Sequence, residues 1–244
     1  MTSSESVNDR GAEIAANVSQ VREEIATACA DSGRSPEEIT IVAVTKKFPA
    51  SDIAHLAALG ITDIGENREQ EATPKSETVA ADGVGVRWHF VGQLQRNKCN
   101  AVARFADVVQ SVDRTPVVAA LDRAATTQRD EPISVLLQLS LDGDPTRGGV
   151  VEADDEKLAT DVMERKGLRL RGVMAVAPRE WEPERAFAAV ARRSQQLQKL
   201  TREADVISAG MSSDFATAIS YGATVVRLGA KLLGPRADVG YPFR

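Results

Sequence analysis

Short, apolar, β-branched segments alternate with longer amphipathic segments along almost all of this 244-residue chain, and this alternation is what most constrains the fold. The first strand-like segment, EITIVAV at 38–44, is apolar through most of its length, as expected of a parallel strand covered on both faces. Seven more segments of this kind follow: ITDIGEN, VRWHFVG, ADVVQSV, ISVLLQLSL, LRLRGVMAVAP, ADVISAGM and ATVVRLGA. The pattern predicts eight strands.

Helix-like segments separate these strands: ASDIAHLAALG, REQEATPKSETVA, QRNKCNAVARFA, TPVVAALDRAATTQ, DDEKLATDVMERKG, EPERAFAAVARRSQQLQKLTRE and SSDFATAISYG. A further helix is predicted ahead of them over 11–33, where Ile14, Val18, Val21 and Ile25 recur at helical spacing. Eight β-then-α units without a linker predict an α/β protein with one domain over 1–244, a (β/α)8 TIM barrel with the first helix packed on it. An open doubly wound sheet is the alternative.

Composition limits the classes of function. The chain is 43% hydrophobic, 27% charged and 4% aromatic, which is typical of a globular α/β protein. Its formal net charge of −5 provides no broad basic surface, so no nucleic-acid partner is predicted. Cys29 and Cys99 lack CxxC spacing and are expected to be free thiols. His55 and His89 are far apart in the sequence, so we predict no histidine-built metal site.

The amino-terminal segment MTSSESVNDRGAEIAANV lacks the basic stretch and apolar run of a targeting signal. No segment approaches the length of a membrane span. We therefore expect a cytoplasmic protein without a membrane partner, and we expect it to be a monomer.

Two adjacent lysines stand where the first strand ends. Lys46 and Lys47 follow Thr45, and strand alternation sends their side chains to opposite sides. In a barrel the carboxyl ends of the strands gather on the face that carries active sites. Either both lysines are solvated loop residues, or one is desolvated in the barrel mouth and forms a Schiff base. Alternation alone does not decide which one.

The last two strand ends have features of a phosphate site. Gly210, Ser212 and Ser213 lie between the seventh strand and a helix, where backbone N–H groups favour an anion. Gly229 ends the eighth strand and lets backbone approach a ligand closely. The alternative is an ordinary serine N-cap and a loop glycine. Barrels commonly bind phosphate with the loops after strands seven and eight, which is where these segments fall, so both interpretations stay open.

Arg227 interrupts the apolar run of the eighth strand. It is either an outward charge between helices or a group directed at the mouth, on the same side as Gly229. In the second case the chain offers a lysine for an aldehyde, an arginine for a pyridine nitrogen and a phosphate site. Together these would form a cradle for pyridoxal 5′-phosphate.

Six segments of the sequence resemble, in order and across nearly the whole chain, the pyridoxal phosphate homeostasis protein family: VAVTKKFPASDI, DIGENREQE, WHFVGQLQRNK, LRGVMAVAP, SAGMSSDFATAI and VVRLGAKLLG. The resemblance implies a single barrel similar to the N-terminal domain of alanine racemases. It also implies that pyridoxal phosphate is carried as an aldimine on Lys46, the lysine that follows Thr45.

The same resemblance implies the other cofactor contacts. Arg227 would face the pyridine nitrogen, Asn67 and Met174 would line the pocket, and His89 would lie close by. The phosphate would be held by Ser212, Ser213 and the backbone at Gly229 and Ala230. Two residues depart from the family pattern: Lys47 stands where members often have Thr, and Ala230 where they often have Ser or Thr.

Two classes of function follow from the resemblance. The first is a binding protein that stores, buffers or delivers pyridoxal phosphate, with cofactor-requiring apo enzymes as partners. The second is a pyridoxal phosphate enzyme such as an amino-acid racemase, which needs a proton donor on each face of its substrate adduct. Tyr221 and Tyr241 are the tyrosines available, and the chain ends soon after strand eight, so we expect a carrier without substantial racemase activity.

Overall fold

The strands form a closed parallel barrel in which each strand pairs with its neighbour in sequence and β8 returns to β1. The structure is a computed structural model that describes residues 3–144 and 146–235. The strands are β1 (Thr40–Val44), β2 (Asp63–Glu66), β3 (Arg87–Phe90), β4 (Val108–Val112), β5 (Ile133–Gln138), β6 (Leu168–Met174), β7 (Val206–Ser208) and β8 (Val225–Leu228). The predicted (β/α)8 barrel is confirmed, and the open doubly wound sheet is excluded.

Helices follow the strands and cover the outside of the barrel. They are α1 (Ser3–Asp31), α2 (Ala50–Ala58), α3 (Glu69–Ala81), α4 (Cys99–Phe105), α5 (Thr115–Gln128), α6 (Asp155–Met163), α7 (Pro183–Leu200), α8 (Phe215–Ser220) and α9 (Ala230–Leu233). The helix predicted over 11–33 therefore begins earlier, at Ser3, and ends at Asp31. It packs against α2, α8 and α9. The short α9 was not predicted, because four residues carry too little periodicity.

Strand residues alternate between two layers of side chains. On β1, Ala43 faces outward into the hydrophobic core shared with the helices, whereas Val42 faces the lumen. The lumen also contains buried polar side chains, His89, Gln110 and Arg227 among them. At the amino end of the barrel a cavity of about 450 Å3 opens among the first residues of several strands. No helix in the described part of the chain has the length and apolarity to cross a bilayer.

Candidate functional site at the carboxyl end of the barrel

Lys46 is half-buried in the turn that follows β1 at the barrel mouth. Thr40 lines the lumen cavity at the amino end, and Val42 faces the same side. Thr45 is directed outward, since its hydroxyl donates to Glu66 Oε1 at 2.6 Å beneath α3. Alternation then directs the half-buried Lys46 toward the lumen. Alternation continued past the end of β1 thus favours Lys46 over Lys47, the choice that the sequence left open.

Three buried charged residues clamp the turn that carries Lys46. Lys75 Nζ on α3 donates to the backbone oxygen of Thr45 at 2.9 Å and to Glu66 Oε1 at 2.5 Å. It also pairs with Glu71 Oε1 at 3.2 Å, and the backbone N–H of Lys47 donates to that same oxygen. Thr45 and Lys47, the two neighbours of Lys46, are therefore both fixed to one cluster.

The cluster carries an excess carboxylate in a buried position. Glu66 is fully buried and burial raises the pKa of its carboxyl group, although Lys75 opposes that rise. Its second oxygen, Oε2, has no hydrogen-bond partner among the described residues. The sequence patterns do not single out Glu66, Glu71 and Lys75 as site residues. The available signal was the helical i, i+4 spacing of Glu71 and Lys75 directly after the GEN segment.

Lys47 has a backbone conformation that is unusual for its residue type. Its φ is 67°, in the left-handed region, and among described residues other than glycine no further one has a positive φ. Its side chain is exposed, unlike that of Lys46. The backbone reversal at Lys47, held by Glu71, turns the chain away from the mouth and sets the two lysines in different environments.

Arg227 lies inside the lumen and is almost completely buried. Its Nη1 donates to the backbone oxygen and to Oγ of Ser208, at 2.8 and 2.7 Å, and its Nη2 donates to Ala175 O at 2.8 Å. Burial lowers the pKa of this guanidinium to about 10, and the Asp214 carboxylate opposes the shift. The group is therefore charged at neutral pH. The Arg227 side chain therefore points into the lumen and not outward between the helices.

The loops after β7 and β8 present unused backbone donors. Gly210 has a φ of 91°, and the Met211 N–H is bonded to the Asp214 carboxylate at 2.6 Å. Helix α8 begins at Phe215 rather than at the predicted serines, so Ser212 and Ser213 lie in the turn ahead of it. In these two loops, the backbone N–H groups of Ser212, Ser213, Gly229 and Ala230 have no protein acceptor among the described residues.

Gly229 brings the end of β8 against the end of β1. A Cβ at this position would lie 3.3 Å from the backbone oxygen of Val44, two residues before Lys46. Ala230, the first residue of α9, is exposed and offers only its backbone N–H. Ser212 is half-buried and Ser213 is exposed, and both also border a groove toward α1.

Asn67 and Met174 lie at neighbouring strand ends. Asn67 directly follows β2, is half-buried, and shares the lumen parity of Asp63. The backbone of Asn67 lies very close to Gly92. A Cβ built on Gly92 would lie 2.0 Å from Asn67 O. Met174 ends β6 and is buried, and alternation directs it to the lumen because Val173 faces the outer core.

His89 lies inside the lumen on β3, and its contacts are directed toward the amino end. Its ring is buried in the lumen, with Nε2 2.8 Å from Asp63 Oδ1 and Nδ1 2.8 Å from Gln110 Nε2. Asp63 begins β2, so the ring is directed toward the amino end of the barrel and lines the cavity there. The physical reason is the Asp63 carboxylate, which draws the imidazole away from the carboxyl mouth. His89 reaches the site indirectly, through Gln110 and Ser208.

The carboxyl mouth therefore combines three kinds of group. Lys46 supplies a primary amine on the lumen side, Arg227 supplies a fixed cation that only donates hydrogen bonds, and the β7 and β8 loops supply unsatisfied N–H groups. An aldehyde, a heteroaromatic nitrogen and a phosphate are the chemical partners of these groups. The described residues contain no group of three His, Cys, Asp or Glu side chains suited to a metal ion.

Comparison with known proteins identifies the class to which this barrel belongs. The family described as alanine racemase, N-terminal domain, matches residues 12–237. The alanine racemase of Corynebacterium glutamicum has the same fold, with a TM-score of 0.67 at 17% identity, and the match covers 95% of this chain and 62% of the racemase. The fold and the mouth thus define a barrel of the alanine racemase N-terminal domain class.

Sequence relatives narrow this assignment. Pyridoxal phosphate homeostasis proteins of Mycobacterium tuberculosis and Escherichia coli K12 are 39% and 38% identical to this chain, with 93% and 92% of the chain and 95% and 97% of each relative covered. PipY of Synechococcus elongatus, solved with PLP bound, is 30% identical, with a TM-score of 0.75, and the match covers 86% of this chain and 100% of PipY. The chain belongs to the pyridoxal phosphate homeostasis protein family.

Proposed function

We propose that the protein binds pyridoxal 5′-phosphate at the carboxyl mouth of the barrel and serves in pyridoxal phosphate homeostasis, by storing, buffering or delivering the cofactor. The observation that carries the proposal is the convergence of Lys46, Arg227 and four unsatisfied backbone N–H groups on one mouth. The PLP-bound structure of PipY and the names of the curated relatives support it. When bound, the cofactor supplies a reactive aldehyde and an electron-accepting ring.

Each residue has a defined part in the proposed site. Lys46 Nζ forms a Schiff base with the aldehyde, which sequesters it from other amines. Ser212, Ser213 and the backbone N–H groups of Gly229 and Ala230 hold the phosphate. Asn67 and Met174 line the pocket.

Arg227 faces the pyridine nitrogen in this proposal. A guanidinium donates hydrogen bonds and accepts none, so it leaves that nitrogen unprotonated. An unprotonated ring withdraws electrons less strongly, which disfavours carbanion chemistry. This property favours carriage of the cofactor over turnover of amino acids.

A racemase needs a proton donor on each face of its substrate adduct, and the tyrosines that the chain offers for one of them are Tyr221 and Tyr241. Tyr221 follows α8 at the end opposite to Ser212 and is half-buried against the core. Tyr241 lies outside the described residues. We therefore propose a carrier without substantial racemase activity, whose partners include apo enzymes that require the cofactor, and we propose that it acts as a monomer in the cytoplasm.

Borohydride reduction tests the attachment point. The loaded protein is reduced, digested and mapped by mass spectrometry, and the pyridoxyl group is expected on Lys46. Lys46→Ala is expected to abolish the visible absorption band. Lys47→Ala is the matched control, because that lysine is adjacent but exposed, and it is expected to keep the band. A pyridoxyl group found chiefly on Lys47 in the unaltered protein would contradict the assignment.

Two further measurements test the rest of the site and the class of function. Ser212→Ala is expected to weaken cofactor binding by about 1–3 kcal/mol, the range for a hydrogen bond to a charged group. Pyridoxal without its phosphate should bind much more weakly than the phosphate form. The loaded protein should transfer cofactor to an apo enzyme, while racemising alanine far more slowly than about 1 per second. Racemisation at that rate or faster would overturn the carrier proposal.

A further inference from the structure

A continuous chain of hydrogen bonds crosses the barrel lumen from Arg227 to the amino end. Arg227 Nη1 contacts Ser208 Oγ at 2.7 Å, Ser208 Oγ contacts Gln110 Oε1 at 2.7 Å, and Gln110 Nε2 contacts His89 Nδ1 at 2.8 Å. His89 Nε2 then contacts Asp63 Oδ1 at 2.8 Å. We refer to these five side chains, from β8, β7, β4, β3 and β2, as the lumen relay.

The two ends of the lumen relay fix the direction of every bond in it. A guanidinium can only donate and a carboxylate can only accept. Ser208 Oγ therefore accepts from Arg227 and donates to the amide oxygen of Gln110. The amide nitrogen of Gln110 then donates to Nδ1 of His89, which leaves the imidazole proton on Nε2, facing Asp63.

Burial makes this arrangement costly to disturb. Gln110 and Ser208 are fully buried, and His89 and Arg227 are almost so. If the Gln110 amide turned over, its nitrogen would face the hydroxyl of Ser208 and its oxygen would face an acceptor nitrogen of His89. Two buried groups would then lack partners, which is costly at positions this well buried.

We propose that Gln110 is a positioning residue for Arg227. It acts through Ser208, and the Asp63–His89 pair fixes the orientation of its amide. The inference rests on the proposed function, because it assigns to the lumen relay the task of holding the guanidinium toward the ring nitrogen of the cofactor. No residue of the relay other than Arg227 needs to touch the cofactor.

The far end of the relay borders the amino-end cavity, and a second proton on His89 would change the direction of its bonds. His89 lines the amino-end cavity, where it faces charged groups from every neighbouring element: Glu38, Asp63, Arg87, Arg169, Arg171 and Asp205. A proton on Nδ1 would turn that atom from an acceptor into a donor. The Gln110 amide would then have to turn over, and the hydroxyl of Ser208 would lose its acceptor.

The cofactor-free protein provides the first test. The chain has two histidines, so nitrogen-15 spectra of the protein and of a His55→Gln variant assign the ring nitrogens of His89. We expect a protonated Nε2 and an unprotonated Nδ1. A neutral His89 with its proton on Nδ1 would overturn the inference, whether or not the protein binds pyridoxal phosphate.

Substitutions at Gln110 provide the second test, read in the loaded protein. Gln110→Leu removes both bonds of the amide and is expected to shift the pH midpoint of the visible band and to weaken cofactor binding about twofold to tenfold. Gln110→Glu keeps an acceptor for Ser208, so its band and affinity should stay close to those of the unaltered protein. In the same variant His89 should become doubly protonated, since the new carboxylate requires a donor at Nδ1.

Ser111→Ala is the matched control on the same strand. Ser111 is buried like its neighbour Gln110, but its hydroxyl has no partner among the described residues, so the substitution should change neither the band nor the affinity. Equal spectra and affinities for Gln110→Leu and the unaltered protein would overturn the inference. If Gln110→Leu does not fold, the visible band of Gln110→Glu is compared with that of Arg227→Lys. A pH midpoint shifted equally far in both variants would overturn the inference. Failure of the unaltered protein to bind the cofactor would instead refute the proposed function, and with it the role given to the relay.

Discussion

Removal of the Lys75 ammonium is expected to destabilise the protein strongly and to loosen the turn that carries Lys46. Lys75 is 6% exposed and bonds Thr45 O, Glu66 Oε1 and Glu71 Oε1. In Lys75→Met the aliphatic stem is retained, but two buried carboxylates lose the cation that they share. Breaking a buried ion pair from one side costs about 3–5 kcal/mol, because the remaining charge is left in a poorly solvated position.

The expected shift in melting temperature follows from the size of the protein. At about 2.1 cal/mol/K per residue, a chain of this length has an unfolding entropy of about 0.5 kcal/mol/K. A loss of about 3–5 kcal/mol then lowers Tm by about 6–10 °C. Urea unfolding at neutral pH should give the same loss of free energy.

Lys98→Met is the matched control for this variant. Lys98 Nζ contacts Glu69 Oε1 at 2.5 Å, the same distance as the Lys75–Glu66 pair, but its side chain is 33% exposed. Glu69 is 12% exposed, but the Lys98 ammonium keeps access to solvent, so the pair should contribute about 1 kcal/mol and Tm should fall by only about 2 °C. Equal small losses in both variants would refute the reasoning that burial makes the Lys75 cluster expensive to break.

The pH dependence of the stability deficit, meaning the loss of unfolding free energy in Lys75→Met, provides a second check. Burial raises the pKa of Glu66 above its unfolded value, so its contribution to stability is fully present below the unfolded pKa and is lost as pH rises through the folded one. Lys75 opposes that rise in pKa, and its removal extends the loss to higher pH. The deficit of Lys75→Met relative to the unaltered protein should therefore be largest near neutral pH and should shrink on acidification. A deficit independent of pH would contradict this account.

Three other outcomes are expected. Gly92→Ala should destabilise by about 1–3 kcal/mol, because its Cβ would lie 2.0 Å from Asn67 O, whereas Gly85→Ala, with nothing within 4 Å, should be nearly neutral in urea unfolding. Arg193→Met should lose about 3–5 kcal/mol, since the buried guanidinium pairs with Asp155 and with Ser140 O, while Arg192→Met, which breaks an exposed pair with Glu152, should lose at most about 1 kcal/mol. Burial raises the pKa of the Cys99 thiol to about 11, so only about one thiol in a thousand is ionised at pH 8. Cys99 should therefore resist alkylation at that pH until the protein unfolds. Rapid labelling of the folded protein would contradict this.

Most of the barrel was predictable because its determinants are local. The short strand-like segments of β1 to β8 and the helical spacing of segments such as α5, Thr115–Gln128, need only period and composition to be recognised. Helix ends were less predictable. The serines ahead of α8 have the character of N-caps, yet Asp214 occupies that position and its carboxylate bonds the Met211 N–H.

The parts of the site that the sequence left open depend on contacts between distant residues. The orientation of Lys46 follows from the pairing of Thr45 with Glu66, which is 21 residues away. The inward direction of Arg227 follows from its bonds to β7, and the position of His89 follows from the carboxylate of Asp63 on the neighbouring strand. Such pairings become visible only once strand register is known, because a shift of one residue moves every side chain to the other face.

Arg227 also joins three successive parts of the barrel wall. Its backbone N–H donates to Gly210 O, and its guanidinium donates to Ser208 O and to Ala175 O just beyond β6. β7 is only three residues long, so these bonds supplement a short strand at the point where the cylinder closes on itself. Any replacement of the arginine therefore alters these wall contacts together with the proposed contact to the ring nitrogen, and a loss of binding would have two causes. An analogue with carbon in place of the pyridine nitrogen leaves the wall intact, so the contribution of that nitrogen is best measured by changing the ligand rather than the protein.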